Sequence, residues 1–347
     1  PISSIYLMLL LGLINVAYAQ QYKDIKLSNR PLKLKAQGSF YVGGESVWQS
    51  FEELGSRSPE GHIAINQMYV EYMIPKKDKG IPIAMMHGMA LTGKTWETTP
   101  DGRMGWDEYF VRKGHPVYVT DQVGRGRSGF NQQIFNQVRT GKVSADSLPA
   151  FRRFSDEVVW PNFRLGEEVD KPFPNQQFPI EALDQLAIQG VPDMNPYLPN
   201  PNPTYKALSD LALELDGALL MSHSQSGRFP IEAALIDPKG IYGMVLIEPG
   251  HCPTDLDEAQ HQKLLSIPIM IIYGDNLDVI TRMGSFSWRT AYESCKTFSK
   301  RLNAAGGQAE MWYLPDLGIK GNSHMIMQDK NHLEIADMIL EWVKTNN

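Results

Sequence analysis

Short apolar runs, each closed by a polar residue or a glycine, recur along this chain and set its expected architecture. Residues 82–86 end in His87-Gly88, and 116–120 end in Asp121. Residues 217–221 lead into Ser222-His223-Ser224, 243–247 end in Glu248, and 267–273 end in Gly274-Asp275. A last run covers 309–314. Runs this short and this uniformly apolar predict strands buried on both faces. Ahead of them, 41–47 and 63–74 predict two earlier strands. The second alternates through Ile63 and Ile65 and then through Met68, Val70 and Tyr72. Between the runs, 106–113, 230–236, 288–305 and 331–344 carry helical periodicity. Strands alternating with helices predict an α/β class with a mostly parallel sheet flanked by helices. In such sheets ligands sit at the carboxyl ends of the strands, where every polar residue named above falls.

From about 130 to 210 the rhythm breaks. The segment is rich in Gln, Asn, Pro and aromatics, with Pro192, Pro196, Pro199, Pro201 and Pro203 near its end. It reads as a mainly helical cap without strands, inserted above a single domain spanning 20–347. Its aromatics Phe151, Phe154, Trp160, Phe163, Phe173 and Phe178 fit either an apolar substrate group or the cap's own packing face. Residues 5–19 are almost wholly apolar and end in Ala17-Tyr18-Ala19. The run is short for a membrane span, and its end matches a signal-peptidase site, so 1–19 is expected to be a cleaved signal peptide, with an uncleaved anchor as the alternative. The basic segment that precedes such a run is expected upstream of Pro1. Secretion, with no stable membrane span after cleavage, is the expected outcome. The formal net charge of −6 excludes nucleic acid as the main partner. Two cysteines, Cys252 and Cys295, are expected to form a disulfide in an exported protein. A homodimer stays open.

The stretch Leu219-Leu220-Met221-Ser222-His223-Ser224-Gln225-Ser226-Gly227 has the layout of a nucleophile elbow. Ser224 would occupy the strand-to-helix turn, with Ser222 and Ser226 at the two small positions of G-x-S-x-G. A second glycine pattern, Gly124-Arg125-Gly126-Arg127-Ser128-Gly129, matches G-x-G-x-x-G after a strand. A dinucleotide site needs those glycines to open a helix and an acid at the end of the next strand. Neither is evident here, and no cofactor or metal is expected. A serine nucleophile needs a base. His324, in a loop between the last strand and the last helix, follows the order nucleophile, acid, histidine. His251 is a weaker rival, His87 and His223 belong to turns, and His332 is expected to be solvated. For the orienting acid, Glu248 and Asp278 compete. The oxyanion donors are expected from the backbone N–H groups of Met89 and Gln225.

His87-Gly88, Asp121-x-x-Gly124-x-Gly126-x-Ser128, the elbow around Ser224 and the late His324 together resemble the α/β-hydrolase superfamily. Within it, residues 91–106, 222–227, Glu248-Pro249-Gly250 and 321–325 are similar to a group of secreted bacterial serine esterases, over most of the chain. That group carries its acid as a glutamate after the sixth strand, which favours Glu248 over Asp278. The resemblance implies an α/β-hydrolase fold, a small-molecule ester substrate, and a Ser224–Glu248–His324 triad acting through an acyl-enzyme without cofactor. Amide or lactone hydrolysis would use the same groups. A non-catalytic binding protein on this fold would be expected to lack part of the triad. Haloalkane and epoxide hydrolysis are disfavoured, because those relatives carry aspartate at the elbow. The group has adjacent cysteines at the oxyanion turn, whereas this chain has Met89-Ala90.

Overall fold

The computed structural model describes residues 22–346, so the expected signal segment lies outside the described residues. The core is an eight-stranded sheet. Its first two strands, β1 (Leu34–Gln49) and β2 (Gly61–Pro75), form a long antiparallel ribbon at one edge. Then follow β3 (Ile83–Met86), β4 (Val117–Asp121), β5 (Ala218–His223), β6 (Ile241–Ile247), β7 (Ile269–Tyr273) and β8 (Ala309–Tyr313). The spatial order is β1-β2-β4-β3-β5-β6-β7-β8, and from β4 onward every neighbouring pair is parallel. The chain steps from β3 outward to β4, then returns across to β5. The topological switch point therefore lies between β3 and β5, where a crevice opens at the strand ends.

The apolar runs are continuous because helices cover both faces. Helices α1 (Trp106–Lys113) and α5 (His332–Asn346) lie on one side. Helices α2 (Pro203–Glu214), α3 (Phe229–Ile236) and α4 (Trp288–Ala304) lie on the other. Successive β5 side chains alternate between the two cores: Leu219 and Met221 join the α1/α5 side, Leu220 the α2/α3/α4 side.

The sequence reading needs three corrections. Helix α2 lies inside the segment assigned to the cap, yet it packs on the sheet with Leu208 and Leu211 fully buried. The proline cluster disguised its start. Pro203 occupies the first turn, where its missing N–H costs nothing, and the Asn202 side chain accepts the Thr204 N–H as cap. The insertion itself carries short helices Gln133–Arg139, Asp156–Asn162 and Leu183–Ile188. Contrary to expectation it also holds a small antiparallel pair, Gly166–Glu168 with Lys171–Pro172. His332 is buried rather than solvated, held by Met104 O at 2.9 Å and Asp329 O at 2.8 Å.

The glycine-rich turn after β4 is a brace. Gly126–Ser128 makes one 3-10 turn. The Asp121 carboxylate accepts Gly93 N–H at 2.7 Å and Arg127 N–H at 2.9 Å, fixing the turn against the loop after β3. Cys252, just beyond β6, is bonded to Cys295 in α4, with an S–S distance of 2.07 Å and a sequence separation of 43. A loop of that length contributes roughly 4 kcal/mol by restricting the unfolded chain. Among the described residues, no helix is long and apolar enough to cross a membrane.

Candidate active site

The turn after β5 is built around close approach. Ser224 sits at φ +60°, in the left-handed region, and Gly250 N–H donates to its carbonyl at 3.0 Å. A Cβ on Gly227 would lie 2.4 Å from Pro249 Cα, and one on Gly88 would lie 2.8 Å from Ser224 Cβ. Those positions must be glycine. The two serines that replace the usual elbow glycines do bonding instead. Ser222 Oγ donates to Gly227 O at 3.2 Å, and Ser226 Oγ accepts His223 N–H at 3.2 Å. The turn is therefore tied internally by hydroxyls that a glycine pair would lack.

His324 Nε2 lies 2.9 Å from Ser224 Oγ, and its Nδ1 lies 3.3 Å from Glu248 Oε2. Glu248 caps β6 at φ +53° and is fully buried. Its other oxygen, Oε1, accepts Gly274 N–H at 2.5 Å and a bond from Arg164 Nη2. Burial drives the Glu248 carboxyl up, but the Arg164 guanidinium and the His324 ring outweigh it and hold it at about 2. Burial pulls His324 below its usual 6.5, against the opposing pull of Glu248. The imidazole is thus neutral, with its Nδ1 facing an ionised carboxylate. Its ring is fixed by packing, with the Trp288 ring 4.1 Å away and the Phe163 ring 5.3 Å away between centroids. His324 N–H donates to Phe163 O at 2.9 Å, and His223 Nε2 donates to His324 O at 2.9 Å.

No family model matches the chain. Among solved structures, a bacterial esterase determined at atomic resolution is similar at a TM-score of 0.86 and 46% identity, covering 92% of this chain and 99% of that one. This chain belongs to the esterases of the α/β-hydrolase superfamily. It is a carboxylic ester hydrolase. A fungal relative, named "Probable secreted lipase phiG" in Fungal sp. (strain ATCC 74256), is 28% identical over 356 residues, covering 88% of each chain.

The two acids that competed in the sequence of this esterase are placed far apart in character. Glu248 faces His324, whereas the Asp278 side chain is 77% exposed and paired with Arg289 at 2.8 Å. Asp278 is not brought to the histidine, because β7 ends at Tyr273 and the intervening loop turns out into solvent. His251 lines the same cavity as Ser224, but its Nε2 is engaged by Arg228 Nη1 at 2.6 Å. Met89 and Gln225 both line the cavity that holds Ser224 and His324.

Arg164 is the residue that sequence reasoning missed. It follows the cap helix Asp156–Asn162, is fully buried, and donates through Nε to Asp275 O at 2.6 Å. The available signal was a lone charge inside the apolar run Val158-Val159-Trp160-Pro161-Asn162-Phe163-Arg164-Leu165. A charge so embedded needs a buried partner. The cap aromatics divide. Trp160 and Phe178 are core residues away from the cavity, whereas Phe154 and Phe163 line it.

Proposed function

We propose that the esterase is an exported serine carboxylesterase working through an acyl-enzyme on Ser224. Ser224 Oγ attacks the ester carbonyl carbon while His324 Nε2 takes its proton. The resulting oxyanion is held by the Met89 and Gln225 backbone N–H groups. Collapse breaks the ester C–O bond, and His324 returns the proton to the leaving alkoxide. Water then repeats the sequence on the acyl-enzyme, releasing acid and free serine. Glu248 holds the imidazole tautomer and stabilises the imidazolium. One observation carries this reading: the Ser224–His324–Glu248 relay, with steps of 2.9 and 3.3 Å, opens on a cavity of about 800 Å³. Export is supported by the Cys252–Cys295 bond. A fluorophosphonate is expected to add one label to the peptide spanning 219–228, and none in Ser224→Ala. Label on another residue, with Ser224→Ala still active, would sink the assignment.

The cavity walls near Ser224 include Leu91, Phe154, Phe163, Leu198, Phe286 and Trp288. They favour a bulky apolar acyl or aryl group. Phe154→Ala should raise KM for bulky esters about 10-fold, since losing roughly 50 Å² of apolar contact removes about 1.3 kcal/mol. Hydrolysis of a small acetate ester should keep its kcat. A uniform kcat loss across an ester panel, in folded protein, would defeat this reading of the wall.

A further inference from the structure

We infer that the cap sets the oxyanion hole through one buried ion pair, Arg125–Asp193, with the Gln225 side chain as its hold on the elbow. The three are positioning residues, and the inference rests on the Ser224 reading above. Arg125 and Asp193 side chains are 1% and 0% exposed. Arg125 Nη2 donates to Asp193 Oδ1, and Gln225 Nε2 donates to Asp193 Oδ2 at 2.6 Å. Arg125 Nη2 also reaches Gln225 Oε1 at 3.3 Å. Its Nη1 lies 3.3 Å from both Gly88 O and Leu91 O.

The consequence is geometric. Gly88 and Leu91 bracket Met89, one expected oxyanion donor. Gln225 supplies the other from its own backbone. A single guanidinium therefore grips the residues around both donors, and its counter-ion comes from the cap. The cap side is tied in once more, by Val191 N–H donating to Ala90 O at 2.9 Å, and Asp193 is itself anchored within the cap, its N–H donating to Arg152 O at 2.9 Å. A buried ion pair is a weak source of stability, and apolar residues of equal volume would serve a core as well. Only a planar, multi-donor cation can hold two carbonyls, a carboxylate and an amide together. Donors preset toward developing charge are what an oxyanion hole requires.

The test uses the whole enzyme with p-nitrophenyl esters and a trifluoromethyl ketone, whose hemiketal oxygen would occupy the hole. Gln225→Met keeps the backbone N–H and removes the side-chain tie. It is expected to lower kcat about 10-fold, leave KM within twofold, and weaken the ketone by the same factor as kcat/KM. Asp193→Asn should lose about 100-fold, since Arg125 is left without its anion. If Asp193→Asn does not fold, the Gln225→Met kinetics alone decide. A purely structural role would lower the melting temperature without this parallel loss. Folded Gln225→Met with wild-type kcat, or with a raised KM only, overturns the inference while leaving Ser224 as nucleophile. Fluorophosphonate labelling away from Ser224 in the wild type overturns the underlying reading, and the inference with it.

Discussion

Glu248→Gln is expected to lower kcat by about 10²- to 10⁴-fold, and Asp278→Asn to leave it within about twofold. The glutamine amide would either present an N–H to His324 Nδ1 or force the wrong tautomer. It would also leave Arg164 buried without an anion. Asp278 makes an exposed pair with Arg289, of the kind that contributes little. The pH profile adds a second check. Glu248, held at about 2, is ionised at every working pH, so the acid limb of kcat/KM belongs to His324. Burial lowers that imidazole, so the midpoint should fall below 6.5, with activity rising as pH increases through it. Steady-state kinetics on both variants distinguishes the two acids. A larger loss in Asp278→Asn would move the acid to the loop after β7.

The second large effect is expected from the cap. Arg164→Met should cost about 3–5 kcal/mol of stability at neutral pH, because it strands a fully buried carboxylate without its cation. It should also lower kcat by roughly 10- to 100-fold, as Glu248 loses the partner that fixes its Oε1. The pH dependence has a defined sign. The folded carboxyl titrates at about 2, below the 4.5 of the free group. Its contribution is therefore complete above 4.5 and is lost as pH falls from there toward 2. The gap between wild type and variant should be widest above pH 4.5 and narrow on acidification. Urea unfolding at pH 7 and pH 3 measures it. Equal stability at pH 7, or a gap that ignores pH, would show that Arg164 does not carry the charge balance. The outcome also bears on the cap, whose aromatics fitted only an apolar substrate group or the cap's own packing face.

The contrast between what could and could not be read from the chain is physical. Ser224, Glu248 and His324 stand at the ends of apolar runs or in the loop after the last one, so period and position exposed them. Arg164 and Asp193 come from an insertion with no repeating period, and each meets its partner only after folding. Arg164 reaches Glu248 across 84 positions and Arg125 reaches Asp193 across 68. Asp193, in a polar, proline-rich stretch, resembles a solvated residue until its neighbours are known. The hidden start of α2 has a related cause: prolines that end helices also begin them.

The turn conformations at the strand ends have a consequence for engineering. Ala90, Ser224 and Glu248 all hold positive φ, at +55°, +60° and +53°. Each such position costs an L-residue on the order of 1 kcal/mol that glycine would not incur. A selection for thermal endurance alone would therefore favour glycine at 224, and would rank as an improvement a change expected to abolish turnover. At 248 the gain is reversed, because Arg164 would be left buried without its anion. The same conformation recurs on exposed turns at Ser56, Asp170 and Asp216. Glycine there relaxes the backbone without touching the chemistry, so those are the positions from which a hardier catalyst can be bred.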